Sequence, residues 1–438
     1  MSARKSPPAT ATSQTLSHPH PHPLPHPLPA FAGYGVELEY MIVDQTHLDV
    51  KPIADRLLCA AAGHPAADAP RGAMAWSNEL ALHVIEIKNP APVARLEGLA
   101  DAFHAEVRAA NELLAGMGAR LLPGGMHPWM DPTTETRLWT WDRAALYSCY
   151  DRIFNCRRHG WGNLQSMHLN LPFAGDEEFA RLHAAIRLAL PILPALAASS
   201  PWADSRPAGC MDYRLAVYRK HQHEVPSSMG DCIPEPSHSE AEYRAQVLAP
   251  MYREVAEYGA VPCKGDAGAL RHEWLNVRGA APRFERSAIE IRVLDTQECP
   301  RADLAIAAAT VALVRHLYDG ACAQAEAGLD TPALVALFDR CIRDAERAEI
   351  DDARYLELLD CGAGPCSAGE LWSALLARFE STGLLPAEAH APLQFIQEHG
   401  PLARRLAIAL DDAPGRLRDV YRELSACLQD NRQYGAHH

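Results

Sequence analysis

Three short stretches of this chain alternate apolar and polar residues at the period of a β-strand, and their polar members are chemically alike. GYGVELEYMIV (33–43) sets Val36, Leu38, Tyr40 and Ile42 on one face, and Glu37, Glu39 and Met41 on the other. SMHLNL (166–171) sets Met167, Leu169 and Leu171 against Ser166, His168 and Asn170. SAIEIRVLD (287–295) sets Ile289, Ile291 and Val293 against Glu290 and Arg292. Successive strand side chains point to opposite faces, so each segment buries one face and leaves its polar residues together on the other. A fourth stretch, ALHVIEIKN (81–89), adds Glu86 on the parity of Leu82 and Val84, with Glu79 just upstream. Parity puts Glu79 and Glu86 on opposite faces of one regular strand, so both reach one site only across a bulge or bend.

Taken singly, each element has a bland reading: a solvated Glu-x-Glu, a hydrogen-bonded structural histidine, an exposed ion pair. Their coincidence in several strands is harder to dismiss, because clustered carboxylates repel unless something positive lies between them. Hard divalent cations such as Mg or Mn bind carboxylate oxygens, and Mn also accepts imidazole. A lone arginine beside them suits a transferring phosphoryl group, which it grips through two hydrogen bonds.

The chain has 438 residues and a formal net charge of −14, which argues against nucleic acid or an anionic membrane as partner. No apolar h-region follows the basic residues near the N-terminus, and no apolar run approaches the ~20 residues that span a bilayer. The 12 cysteines are scattered without a CxxC pair, so reduced thiols and a cytoplasmic location are expected. Residues 1–30, rich in His and Pro, read as a disordered tail with incidental affinity for Zn, Ni or Cu. Residues 31–300 mix strand and helix periods, as in an α+β catalytic domain, and 301–438 read as a helical segment packed on it. LPGGMHPW (122–129) lacks the Lys-Ser/Thr of a Walker phosphate loop and reads as a turn. RRHGWGN (157–163) reads as a loop, either at a site mouth or solvated. YRKHQHEVPS (218–227) could be a metal site through His221, His223 and Glu224, and reads better as a mobile loop over the substrate.

The motifs GYGVELEYMIVD, VIEIKNPAP, SMHLNLPF, SSPWADSR…MDYR and HEWLNVRGAAPRFERSAIEIRVLDTQ occur in an order that resembles the glutamate–cysteine ligase type 2 family, over roughly residues 33–330. The resemblance implies a glutamine-synthetase-like antiparallel sheet around an ATP and metal site with helices outside. It implies ATP-dependent joining of a carboxylate such as glutamate to an amine such as cysteine through an acyl phosphate. Glu37, Glu39, Glu86, His168 and Glu290 match the family's metal positions, and Arg292 the arginine facing the transferred phosphoryl group. Trp274, Asn276 and Arg278 align with a Trp-Asp-x-Arg stretch near phosphate or substrate carboxylate and Arg214 with a substrate contact, while Asn170, on the polar strand face, is a further candidate for binding substrate or phosphate. Leu38 interrupts the family's Glu-Glu-Glu and Asn276 replaces an acid, while the 121–142 and 219–240 regions diverge, where acceptor choice usually resides. Glu79 is the candidate for the base that deprotonates the amine. Two alternatives share these residues: phosphoryl transfer to a guanidine or other acceptor, and a non-catalytic relative that binds ligand or metal. Assembly into a homo-oligomer is left open by the sequence.

Overall fold

The amphipathic stretches form strands: β1 (Gly35–Asp44), β2 (Asp68–Arg71), β3 (Met74–Asn78), β4 (Val84–Lys88), β5 (Ala119–Leu122), β6 (Ser166–Pro172), β7 (Trp202–Ala203), β8 (Arg206–Pro207), β9 (Ala280–Arg283) and β10 (Ala288–Asp295). The computed structural model describes residues 26–259, 273–320, 329–362, 364–411 and 414–436. The tail expected over 1–30 therefore falls mostly outside the described residues.

One sheet has the order β2-β3-β4-β1-β6-β10-β9, with β5 pairing to the far end of β1, while β7 and β8 make a separate hairpin. Every pairing within the large sheet is antiparallel, the α+β arrangement expected. Its apolar face carries Val36, Leu38, Tyr40, Ile42, Ile85, Ile87, Met167, Leu169, Leu171, Ile289 and Ile291, all buried in the main core. Helices Leu99–Ala115, Gly175–Ala189 and Pro300–Asp319 cover that face and contribute Phe103, Leu182 and Ile306 to the same core. The helix Gly175–Ala189 is followed by a 3-10 turn at Leu190–Ile192 and a short helix at Pro194–Ala197. Pro191 and Pro194 lack the N–H and cannot continue an α-helix, but both suit a first turn.

The opposite face changes character along β1. Glu37 and Glu39 look into a cavity, whereas Met41 and Val43, on the same parity, lie in a second core with Leu402, Leu406, Leu410, Tyr421 and Leu424. Helices Leu402–Asp411 and Leu417–Asp430 thus seal the far end of the polar face. The C-terminal segment is helical except for a small antiparallel ladder between Glu349–Ile350 and Cys366–Ser367. No described helix is long and apolar enough to cross a membrane. Cys59, Cys156, Cys210, Cys232, Cys299, Cys341, Cys361, Cys366 and Cys427 are free thiols, while Cys149 is disulfide-bonded, a departure from the expectation of reduced thiols throughout.

Candidate active site

Register gathers the polar residues. Glu37 lies opposite Lys88 on β4 and opposite His168 on β6. Glu39 lies opposite Glu86, and Glu86 opposite Ser77 on β3. Asn170 lies between Gly35 and Glu290. Glu37, Glu39, Ser77, Glu86, Lys88, His168 and Glu290 form one wall of a cavity of about 780 Å³, whereas Asn170, expected to touch substrate or phosphate, does not reach that wall and instead bonds Glu37.

Glu37 bridges two β6 side chains, with His168 Nδ1 at 3.3 Å and Asn170 Nδ2 at 3.3 Å. Burial pushes its carboxyl up, but the His168 hydrogen bond and the Lys88 charge outweigh that and hold it down at about 2. Burial favours neutral His168, yet the Glu37 hydrogen bond and the Glu39 charge raise it above its ordinary value. Glu39 accepts from the Ser166 N–H at 2.7 Å and its hydroxyl at 3.1 Å. Glu86 accepts from Ser77 Oγ at 2.7 Å and Lys88 Nζ at 2.6 Å. Burial raises both Glu86 and Glu79, and the neighbouring carboxylates add to it, Glu37 at Glu86 and Glu86 with Glu39 at Glu79.

Glu79 and Glu86 share a site, across a bend and not a bulge. Residues 79–83 form the turn between β3 and β4, so Glu79 comes from the turn and Glu86 from β4. Ligand atoms of Glu37, Glu86 and His168 lie within 4.8 Å of one another, and so do those of Glu39, Glu79 and Glu86. Two such groups sharing Glu86, with oxygen donors and one imidazole, fit hard divalent cations such as Mg or Mn.

Glu290 belongs to neither group. Arg283 clamps it with both arms, Nη2 at 2.7 Å and Nε at 3.1 Å, and Arg292 Nε stands 3.3 Å away. Burial opposes its charge, but Arg283 and Arg292 hold its carboxyl well below the usual range. Glu290, expected as a metal ligand, is thus held between two guanidiniums and stands apart from both groups. Arg292 sits where the β10–β6 register shifts between Ile291 and Leu294, a bulge that re-aims the strand and sends both Val293 and Leu294 into the core. Its guanidinium charge is strengthened above the ordinary arginine value by Tyr218 and the surrounding carboxylates, against the cost of burial.

Arg214 and Trp274 line the cavity, Trp274 beneath the Arg143 guanidinium at 5.5 Å. Arg214 pairs through Nε with Asp295, which also accepts from the Ser199 N–H and Ser200 hydroxyl. Arg278 and Asn276 are not brought to the cavity wall. Arg278 is held by Glu235 at 2.7 Å, the Ser227 carbonyl at 3.2 Å and Asn276 Oδ1 at 3.2 Å, and Asn276 donates to the Tyr243 hydroxyl at 2.6 Å. The expected phosphate or substrate contact of this pair is thus corrected to a structural clamp, with Arg283 the guanidinium that reaches the site.

Sequence reasoning missed Lys88, Arg283, Tyr147 and Tyr218, all of which line the cavity. Lys88 was legible, standing two residues from Glu86 on the same strand parity. Tyr218 lies one helical turn past Arg214 in Tyr213–Tyr218, but no strand pattern announces it. The RRHGWGN stretch, read as a loop, contains the short helix His159–Gly162, and its Gly160 and Trp161 line the cavity. The neighbouring His221–Glu224 loop is pinned: Arg158 Nη2 donates to both Glu224 carboxylate oxygens, at 2.8 and 2.9 Å, and to the His221 carbonyl at 2.7 Å. With its ring packed and bonded to the Tyr218 carbonyl, His221 is no ligand for a metal with His223 and Glu224.

A family model described as glutamate-cysteine ligase family 2 matches residues 34–364. An uncharacterised protein of Archaeoglobus fulgidus is 37% identical over 282 residues, 64% of this chain and 73% of that one. A protein of Rubrobacter xylanophilus named "Putative glutamate--cysteine ligase 2-3" is 28% identical over 284 residues, 63% of this chain and 66% of its own length. Among solved structures, a glutamate–cysteine ligase of Francisella tularensis in complex with AMP is 12% identical, with a TM-score of 0.56 over 92% of this chain and 89% of that one. That likeness is one of fold.

Proposed function

As the chain belongs to glutamate-cysteine ligase family 2, we propose that it is an ATP-dependent carboxylate–amine ligase of the cytoplasm, forming an amide through an acyl phosphate, with glutamate and cysteine as the simplest substrate pair. The observation that carries the reading is one cavity wall where two carboxylate groups able to hold Mg or Mn adjoin two guanidiniums. A bound cation would offset charge on the nucleotide phosphates.

The chain's own residues then divide the work. A donor carboxylate oxygen attacks the γ-phosphorus and ADP leaves, while Arg292, set on its bulge and anchored by Glu290, grips the equatorial phosphoryl oxygens. The amine nitrogen next attacks the acyl carbon, inorganic phosphate leaves, and the amine proton passes to a base. Glu79, in the cavity beside Glu39 and Glu86, supplies that base, which leaves the Glu37, Glu86 and His168 group to hold the cation. Arg283 keeps Glu290 ionised and oriented.

The test is ADP release with Mg-ATP and glutamate, with and without a panel of amines, with mass detection of the amide and Glu290→Ala as control. Release that needs both glutamate and an amine, yields an amide and falls about 100-fold or more in the control supports the reading. ADP without amide replaces it with phosphoryl transfer to another acceptor, and no ADP with any amine refutes the glutamate assignment.

A further inference from the structure

Buried hydrogen-bonding groups rarely go without partners, because an unmade bond costs about 1–3 kcal/mol. Three side chains on one wall of the cavity break that rule together, with four donor atoms between them. The Tyr218 hydroxyl, on a residue 6% exposed, has no hydrogen-bond partner, and neither does Nη2 of Arg214, on a residue 1% exposed. Nε and Nη1 of Arg292 likewise make no hydrogen bond, since the approach of Nε to Glu290 is an ion-pair contact without hydrogen-bond geometry.

The three belong to one structure. Arg214 and Tyr218 stand one turn apart on the helix Tyr213–Tyr218, and Arg214 Nη1 donates to the Arg292 carbonyl at 3.2 Å, tying that helix to the β10 bulge. The Arg292 charge acts directly on the Tyr218 phenol, and both side chains line the same cavity. Two guanidinium edges and a hydroxyl with no acceptor are complementary to an oxyanion bearing several lone pairs.

We propose that Tyr218 is a substrate-contacting residue: its hydroxyl donates to an anionic oxygen that Arg214 Nη2 and Arg292 hold from the other sides. The inference rests on the ligase reading only for the identity of that anion, which is a phosphoryl oxygen of the nucleotide or a carboxylate oxygen of the donor acid. Tyrosine adds what the arginines cannot, a neutral donor that can be shared with the oxyanion while its charge changes during transfer. The phenol is kept protonated for this, since burial pushes it up to about 12.

Tyr218→Phe removes one oxygen and little else. Binding of inorganic phosphate and, separately, of glutamate is measured by calorimetry on wild type and variant, with and without magnesium. Weakening of about 10- to 100-fold for one of the two anions is expected, and which anion suffers identifies the source. The unliganded variant should melt at or above the wild-type temperature, because the hydroxyl removed makes no bond within the protein. Equal binding of both anions to wild type and variant overturns the proposal, as does failure of wild type to bind either. A lower melting temperature with unchanged binding assigns the hydroxyl a structural role and also overturns it. Tyr218-dependent phosphate binding in a wild type that makes no amide would leave the anion pocket standing while the ligase reading falls.

Discussion

Arg278 and Arg283 stand five residues apart and do opposite things. Both are nearly buried and both clamp a glutamate with two arms, but the Arg278 partner is Glu235, whose side chain is 45% exposed, and the Arg283 partner is Glu290 inside the cavity. Replacing Arg278 with Gln should lower stability by about 1–3 kcal/mol, less than for a fully buried pair because water already reaches Glu235. Turnover by the folded variant should stay within about twofold of wild type. Arg283→Gln leaves Glu290 with one guanidinium and loosens Arg292, and kcat/KM should fall at least about tenfold with a smaller change in melting temperature. Thermal melts and steady-state kinetics on both variants check the pair; equal kinetic losses would contradict the assignment.

Elements, not single residues, build the mouth of the site. The short helix His159–Gly162 lies so close to Tyr213–Tyr218 and its following turn that a Cβ on Gly160 would fall 2.5 Å from the His221 Cβ and 3.2 Å from the Val217 carbonyl oxygen. Only glycine fits without backbone movement. Gly160→Ala should cost about 1–3 kcal/mol by overpacking and raise KM, because Trp161 and the helix carrying Arg214 and Tyr218 must part. Unchanged stability and KM would show that the contact relaxes freely. The Arg158–Glu224 clamp explains why a loop so rich in polar residues is held over the cavity edge.

At the scale of the whole molecule, pH tells most about what burial has done. His83 and His127 are pushed down to about 4 and His183 and His221 to about 3, in each case chiefly by burial. Each is neutral when folded and takes up a proton near its ordinary value of 6.5 when unfolded, so its contribution is complete above that value and is lost as pH falls toward 3–4. Glu37, held at about 2, loses its contribution in the same direction below its ordinary 4.5. Glu79 and Asp303, pushed up by burial, work the other way and soften the fall. Melting temperature should therefore drop as pH is lowered from about 7 to about 4, each histidine contributing on the order of 1–3 kcal/mol. A flat profile across that range would contradict the burial of these rings.

Strand parity, a property of the chain itself, was enough to place Glu37, Glu39, Glu86, His168, Asn170, Glu290 and Arg292 on one face of an antiparallel sheet, because side-chain direction in a strand depends only on counting by two. The same counting went wrong where the count is interrupted. The turn at 79–83 brought Glu79 to the site from outside either strand, and the bulge after Ile291 moved Val293 and Leu294 together into the core. Which charge neutralises which was settled only in three dimensions. Glu290 faces two guanidiniums where a cation was expected, Arg278 turns to Glu235 and away from the cavity, and Tyr218 reaches the wall from a helix no strand pattern predicts. Pairing energies depend on distance and burial between residues far apart in sequence, and no local periodicity encodes either.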